Sequence, residues 1–293
     1  MKQRAEIGII GGTGIQGLPD LQVHEELVLE TPFGPPSAPY ILGTLEGRRL
    51  AFLARHGVGH TLTPTEINYR ANIHGFKALG VERLFSASAV GSLQEEVHPL
   101  DVVVPDQFID ATRLRPRTFF GEGVVVHVGF ADPLCSALRQ VLLNAASDLE
   151  IPHHDGGTYV CIEGPQFSTR AESEVYRQWG ARVIGMTNLP EARLAREAEI
   201  CYATMALVTD YDCWKVDEEA VTVEAVMDNL RRNAASARRL LRAALLSDAL
   251  AAPRSCDCAR ALDTAVLTPP QAIPDTVRQR LDLLLRRYLD AVS

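Results

Sequence analysis

Apolar positions recur along this chain in two rhythms, and the exchange between them predicts its architecture. Short β-branched or apolar runs bounded by turn residues lie at 7–10, 50–53, 81–85, 101–104, 182–184 and 201–208. Each reads as a strand. Stretches with helical spacing lie between them. Thr63-Pro64 offers an N-cap with proline in the first turn, opening a helix that Gly80 ends. Further helices are expected over 132–149, after Pro190 through Ala198, from 221 to about 250, and over 275–292. The last two are long and amphipathic, with arginines on the polar face. Strands alternating with helices over most of the length predict an α/β fold. The stretch 251–263 reads as an excursion between the final helices, and no linker divides the chain. Residues 1–293 therefore read as a single domain with C-terminal helices from about 221.

Composition narrows the function classes. A hydrophobic fraction of 46% over 293 residues is enough for a full core. The net charge of −8, with no long basic tract, argues against a nucleic-acid partner. No apolar run reaches membrane-spanning length and no N-terminal stretch has the order of a signal peptide, so no membrane partner and a cytoplasmic location are expected. The cysteines (Cys135, Cys161, Cys201, Cys213, Cys256, Cys258) are too scattered for a secreted disulfide scaffold. Cys256-Asp257-Cys258 brings two thiols where a zinc site wants four ligands, and no matching pair stands nearby in sequence. Free thiols and no metal are the expectation.

The chemistry concentrates at strand ends. Thr209-Asp210-Tyr211-Asp212 closes an apolar run with two carboxylates that share a face if the strand persists. Such a pair reads either as a solvated strand exit or as a site with N–H donors, or a proton to share, opposite it. Near the start, Gly11-Gly12-Thr13-Gly14-Ile15-Gln16-Gly17 follows a strand. Its glycine spacing matches the dinucleotide fingerprint, but Pro19 and the loop Thr31-Pro32-Phe33-Gly34-Pro35-Pro36 stand where a helix and a second strand are needed. What is left is a glycine turn whose N–H groups, with the Thr13 hydroxyl, can cradle an oxyanion. Arg55-His56 ends another run with a phosphate-suited fork beside an imidazole. Ser86-Ala87-Ser88-Ala89 and Gly185-Met186-Thr187 end two more with small or hydroxyl residues. Four such strand ends in an α/β sheet form the usual arrangement of a ligand site.

These residues resemble the trimeric nucleoside phosphorylases from residue 7 to about 227. The likeness rests on Gly11-Gly12-Thr13-Gly14, Thr31-Pro32-Phe33-Gly34, Ala54-Arg55-His56-Gly57, Asn68-Tyr69-Arg70-Ala71-Asn72, the run from Ile162-Glu163-Gly164-Pro165 to Ser173, Gly185-Met186-Thr187 and Thr209-Asp210-Tyr211-Asp212-Cys213-Trp214. The resemblance implies a twisted mixed β-sheet flanked by helices and a homotrimer, with a hexamer as the alternative. It implies inorganic phosphate as co-substrate and no cofactor. Phosphate is then expected at Thr13, Arg55, His56, Ser88, Ala89 and Thr187. The ribose is expected against Met186 and the base near Phe167, Ser168, Asp210 and Asp212, with His127 reaching into a neighbouring subunit's site.

The family's 6-oxopurine branch carries Glu and Asn where this chain has Ser168 and Asp210. A carboxylate accepts from the N6 amino group of adenine and repels the oxygen of hypoxanthine. Val223 and Val226 fall where that branch meets a 5′-hydroxyl, so an apolar 5′ group is expected. Gly185 matches the oxo branch instead. The implied reaction is reversible phosphorolysis of 5′-methylthioadenosine to adenine and 5-methylthioribose 1-phosphate, in purine and methionine salvage, with Asp210 as the acid at purine N7. The alternatives are a broader adenosine or 6-oxopurine phosphorylase, or a nucleoside-binding protein without turnover.

Overall fold

The computed structural model describes residues 4–12, 18, 20–215 and 223–289, with side chains at 223–226 and 230 left aside. Its centre is β5 (Arg83–Ser92), a ten-residue strand with two differently built edges. Along one edge runs β11 (Cys201–Asp210), parallel and in register from Arg83 to Gly91. Along the other, β1 (Ile7–Gly11) pairs with residues 83–87, and β10 (Ala181–Gly185) pairs antiparallel with Gly91 and Ser92. Among the described residues no strand joins that edge at 88–90. The sheet splits there.

From the split, β1 leads outward through β4 (Arg48–Ala54) and β3 (Tyr40–Leu45) to the edge strand β2 (Gln22–Leu27). β10 leads through β9 (Thr158–Cys161) to β7 (Gln107–Asp110). β11 carries β6 (Val102–Val104), which pairs with β8 (His153–Asp155). The result is a mixed sheet of eleven strands.

Helices cover both faces. α2 (Ser136–Asp148) and α5 (Val223–Leu246) pack with β1, β5 and β11 around Phe85, Leu142, Met205 and Leu241. α1 (Tyr69–Leu79) and α4 (Asn188–Glu197) enclose a second core with Phe76, Leu84, Leu194 and Tyr202. α3 (Arg170–Gln178) packs on β10, and the chain closes with α6 (Asp275–Arg280) and α7 (Asp282–Leu289). Covered on both faces, β11 is buried along nearly its whole length, which explains its unbroken apolar sequence.

Every strand expected from the apolar runs is present. Three helix bounds differ; α2, expected from 132, begins at Ser136. Thr63 does bond Glu66, but as an isolated turn; α1 begins six residues later, where the Asn68 side chain accepts from the Ala71 N–H. Gly80 ends that helix as expected, in the left-handed region at φ +85°. The segment expected as one helix over 275–292 is broken at Leu281 into α6 and α7, and residues 290–293 lie outside the described ones. Finally, the fold places Cys135 and Cys201 beside Cys256 and Cys258, supplying the second pair of thiols that sequence proximity does not.

Candidate active site

The split in the sheet opens into a cavity of about 700 Å³, within the range of small-molecule sites. Residues 87–91 of β5 form its floor, and Gly12, His56, Met186 and Thr187 stand around it, with Phe167 and Asp210 at the far end. α5 reaches it through Met227 and Ala234. A smaller cavity of about 220 Å³ beside Gly11 and Gly57 shares Gly12, His56 and His60 with it. Arg55, His56, Ser88, Ala89, Thr187, Phe167, Ser168, Met186, Asp210 and Asp212 thus line one space, although 157 positions separate the first from the last in sequence.

Four further contacts were expected. Thr13 lies outside the described residues, as do the side chains of Val223 and Val226. His127 is exposed and does not line the cavity; its backbone N–H donates to Ala265 O.

Arg55 lines the cavity and at the same time holds a buried acid. Only 1% exposed, its Nε donates to Glu191 Oε2 at 2.8 Å and its Nη2 to Oε1 at 3.1 Å. Nη1 donates to Ala87 O at 2.9 Å and Nη2 to Ser86 Oγ at 2.6 Å. Burial opposes the guanidinium charge, but the carboxylate of Glu191 more than offsets it and raises the pKa. Most of the fork is held by a fully buried acid and by β5, so Arg55 fixes β5 against α4, with one Nη1 N–H beyond these bonds at the cavity it lines. Tyr202 completes the cluster, donating to Glu191 Oε1 at 2.7 Å.

His56 carries its own assignment. Nδ1 lies 2.9 Å from Leu62 O, and a carbonyl only accepts, so Nδ1 holds the proton. Burial pushes the ring's pKa down to about 4, only partly opposed by that bond, with the Arg55 charge adding to the shift. The neutral ring stacks on His60 at 4.2 Å. Ser88 donates to Asn188 Oδ1 at 2.8 Å, while the side chain of Thr187 makes no capping bond at the start of α4.

The opposite end is acidic. β11 stops at Asp210 and Asp212 has φ +54°, so the strand does not persist as the shared-face argument supposed. A tight turn brings the two together instead: the Asp212 N–H donates to Asp210 Oδ1 at 2.8 Å. Burial raises the pKa of both. Thr209 Oγ1 lies 2.6 Å from Asp210 Oδ2 and 3.1 Å from Val90 O. The hydroxyl has one proton to give. With Asp210 ionised it serves the carboxylate; with Asp210 protonated, the acid donates to Thr209 and Thr209 to Val90. Rotating one hydroxyl accommodates either state. Next to this pair, Ser168 Oγ is buried with no hydrogen-bond partner among the described residues.

Residues that sequence reasoning missed hold these parts in place. Arg115, 4% exposed, donates through Nη1 to Met186 O at 2.6 Å and Leu189 O at 2.7 Å, through Nη2 to Glu163 O at 2.7 Å, and through Nε to Glu163 Oε1 at 3.1 Å. It ties the ribose-side wall to the loop before Phe167. Asn229 and Asn233 on α5 donate to Thr209 O and Val208 O and hold the exit of β11. All these bonds join distant positions, so no local signal marks them. Gly185 also has a packing reason. A Cβ there would fall 1.9 Å from Tyr159 Oη, so its identity follows from Tyr159 and does not bear on the base.

Comparison with known proteins agrees with this arrangement. The family model described as the phosphorylase superfamily matches residues 6–246. S-methyl-5′-thioadenosine phosphorylase of Synechocystis sp. is 58% identical, covering 97% of this chain and 88% of that one. The enzyme of the same name from Koribacter versatilis is 55% identical over 97% of both. Among solved structures, a methylthioadenosine phosphorylase from an antarctic soil metagenomic library superposes with a TM-score of 0.92 at 50% identity, covering 97% of this chain and all of that one. Methylthioadenosine phosphorylase from Schistosoma mansoni in complex with adenine gives 0.83 at 34% identity, covering 92% and 99%. The chain belongs to the phosphorylase superfamily, and within it to the methylthioadenosine phosphorylase family.

Proposed function

We propose that this chain catalyses the reversible phosphorolysis of 5′-methylthioadenosine to adenine and 5-methylthioribose 1-phosphate. One observation carries the reading: a single cavity joins a glycine- and hydroxyl-lined end to a pair of carboxylates, Asp212 buried and Asp210 half-buried, in a volume that suits a nucleoside with phosphate. Phosphate sits at Thr13, Arg55, His56, the β5 backbone at Ser88 and Ala89, and Thr187. Arg55 also fixes the shape of β5 there. An arriving phosphate supplies the negative charge that favours protonation of His56, which burial alone disfavours.

The C1′–N9 bond breaks as a phosphate oxygen bonds to C1′, and the electron pair of the broken bond passes to the purine. Protonated Asp210 donates to N7 as that charge develops and is left ionised, a state the Thr209 hydroxyl then serves. Asp212 and the free Ser168 hydroxyl face the remaining base edge and accept from N6. Such a site, built around a substrate N–H, can reject an analogue lacking it by as much as ~10⁴–10⁵-fold. Phe167 stacks on the base and Met186 lies against the ribose. Val223 and Val226, beside Met227, line the 5′ end, where an apolar wall suits a methylthio group and leaves a hydroxyl unpaired, at about 1–3 kcal/mol. The working form is a homotrimer of single-domain subunits, with His127 turned to a neighbour's site.

Adenine release from methylthioadenosine, followed with and without phosphate and beside adenosine and inosine, tests the reading. Phosphate-dependent release fastest with methylthioadenosine is expected. Release that ignores phosphate would mean hydrolysis, and none at all would mean a binding protein.

A further inference from the structure

The cysteines the mechanism does not use form the most unusual cluster in the molecule. Cys135, Cys201, Cys256 and Cys258 come from three distant parts of the chain, and their Sγ atoms all lie within 4.8 Å of one another. Three are buried and Cys256 is half-buried. The shortest of these approaches, Cys201 to Cys256, is 3.3 Å. All four are free thiols. Four sulfurs bound to one zinc ion at about 2.3 Å stand roughly 3.8 Å apart in a tetrahedron. The observed separations bracket that value, so small side-chain rotations close the site.

The backbone around the sulfurs is fixed independently of them. The Cys135 N–H donates to Tyr202 O and the Cys201 N–H to Glu82 O, both at 2.9 Å. Cys135 occupies the N-cap of α2, a thirteen-residue helix whose positive end favours a thiolate. Cys256 caps a short 3₁₀ turn that contains Cys258, so both point to one centre from one loop. Before this loop, Arg254 donates to Glu199 O at 2.8 Å and pairs with Glu82 Oε2 at 3.4 Å, which fixes the backbone leading into Cys256. The apolar side chains of Leu138, Leu142 and Leu250 belong to the same core and limit water. Four converging thiols in a core of this kind match soft-ligand, tetrahedral binding and suit no hard cation.

We propose that Cys135, Cys201, Cys256 and Cys258 form a tetrathiolate site for zinc, separate from the active-site cavity. It clamps the segment after α5 onto the start of β11 and of α2. That segment then runs on to pair Val266 with Val126, and its Ala265 carbonyl accepts from the His127 N–H. The ion thus anchors the stretch that holds His127 on the outer face.

Zinc content is the direct test. Full-length protein purified anaerobically from zinc-replete cells should carry about one zinc per chain, with four thiols shielded from a thiol reagent until a chelator is added. Cobalt(II) added to chelated protein should give the intense visible bands of a tetrahedral cobalt–thiolate centre. The C256S/C258S double variant should lose the metal and unfold at a lower temperature that no longer responds to chelator, while its phosphorolysis at 25 °C stays within about twofold of the parent. Less than a tenth of an equivalent of zinc with no cobalt bands would overturn the proposal. So would recovery of the four cysteines as disulfides from the anaerobic preparation, or full metal content in the double variant.

Discussion

The two ends of the cavity are built on opposite principles. At the phosphate end a strongly charged group, Arg55, is neutralised by Glu191 and locked by Ala87 O and Ser86 Oγ. Beside it the cavity is lined by backbone, hydroxyls and a neutral imidazole. At the base end one acid is buried and one half-buried, and among the described groups that shift Asp210 none is a cation. Charge is cancelled where an anion must enter and left uncancelled where a proton must be stored. The first end is an architectural device, since breaking it loosens the sheet. The second costs stability and returns chemistry.

Changes at the two ends should therefore separate stability from rate. The largest expected effect on stability comes from Glu191→Gln, which leaves the Arg55 charge buried and unpaired. A loss of roughly 3–5 kcal/mol in chemical denaturation is expected, and a loss below about 1 kcal/mol would mean the pair is not structural. Next in size is the acid limb of stability. His56 and His74 are held neutral by burial down to about pH 4, whereas in the unfolded chain they protonate near 6.5. Stability is then full above pH 6.5 and falls as pH drops toward 4, by up to about 3 kcal/mol per ring. Denaturation curves at intervals between pH 7 and 4 check this, and His74→Leu should flatten the slope.

A smaller effect is expected at Thr209→Val, which keeps the shape and removes the hydroxyl that serves ionised Asp210. kcat should fall about tenfold. Because the lost hydrogen bond favours the ionised acid, the basic limb of the kcat–pH profile should move to higher pH; an unmoved limb would show that Thr209 acts by packing alone. The smallest is Phe167→Ala at the half-exposed rim, where loss of stacking should raise KM several-fold and leave kcat near the parent value.

The same contrast explains what could be read in the sequence. β1, β4, β5, β10 and β11 are covered by helices, so their apolar runs were visible; β2, with sequence Gln-Val-His-Glu-Glu-Leu on an exposed edge, has no such run. The strand-end residues were legible because glycine, hydroxyl and acid residues interrupt apolar runs there. α3 starts on the capping box Thr169–Glu172, a local signal that sat within a recognised motif and was not read as a helix start. Arg55 is legible as a phosphate-suited cation at a strand end, but its bond to Glu191, 136 positions away, is not. Arg115 was not found at all: its carbonyl partners carry no side-chain identity that a sequence could display. The four-cysteine cluster failed to show for a related reason, as spacing along the chain hides a meeting of Cys135 and Cys201 with Cys256.

The central claim is that Asp210 stores the proton delivered to the leaving purine. Burial raises its pKa, so in the folded chain the carboxyl favours protonation and lowers stability as pH rises from the unfolded value of 3.8 through the raised one. Asp210→Asn removes both the proton and that cost. Steady-state phosphorolysis of methylthioadenosine at neutral pH, measured with unfolding of the same variant, should show kcat lower by about 10²–10⁴-fold with stability equal to or above the parent. Near-normal turnover by a well-folded Asp210→Asn protein would contradict the account.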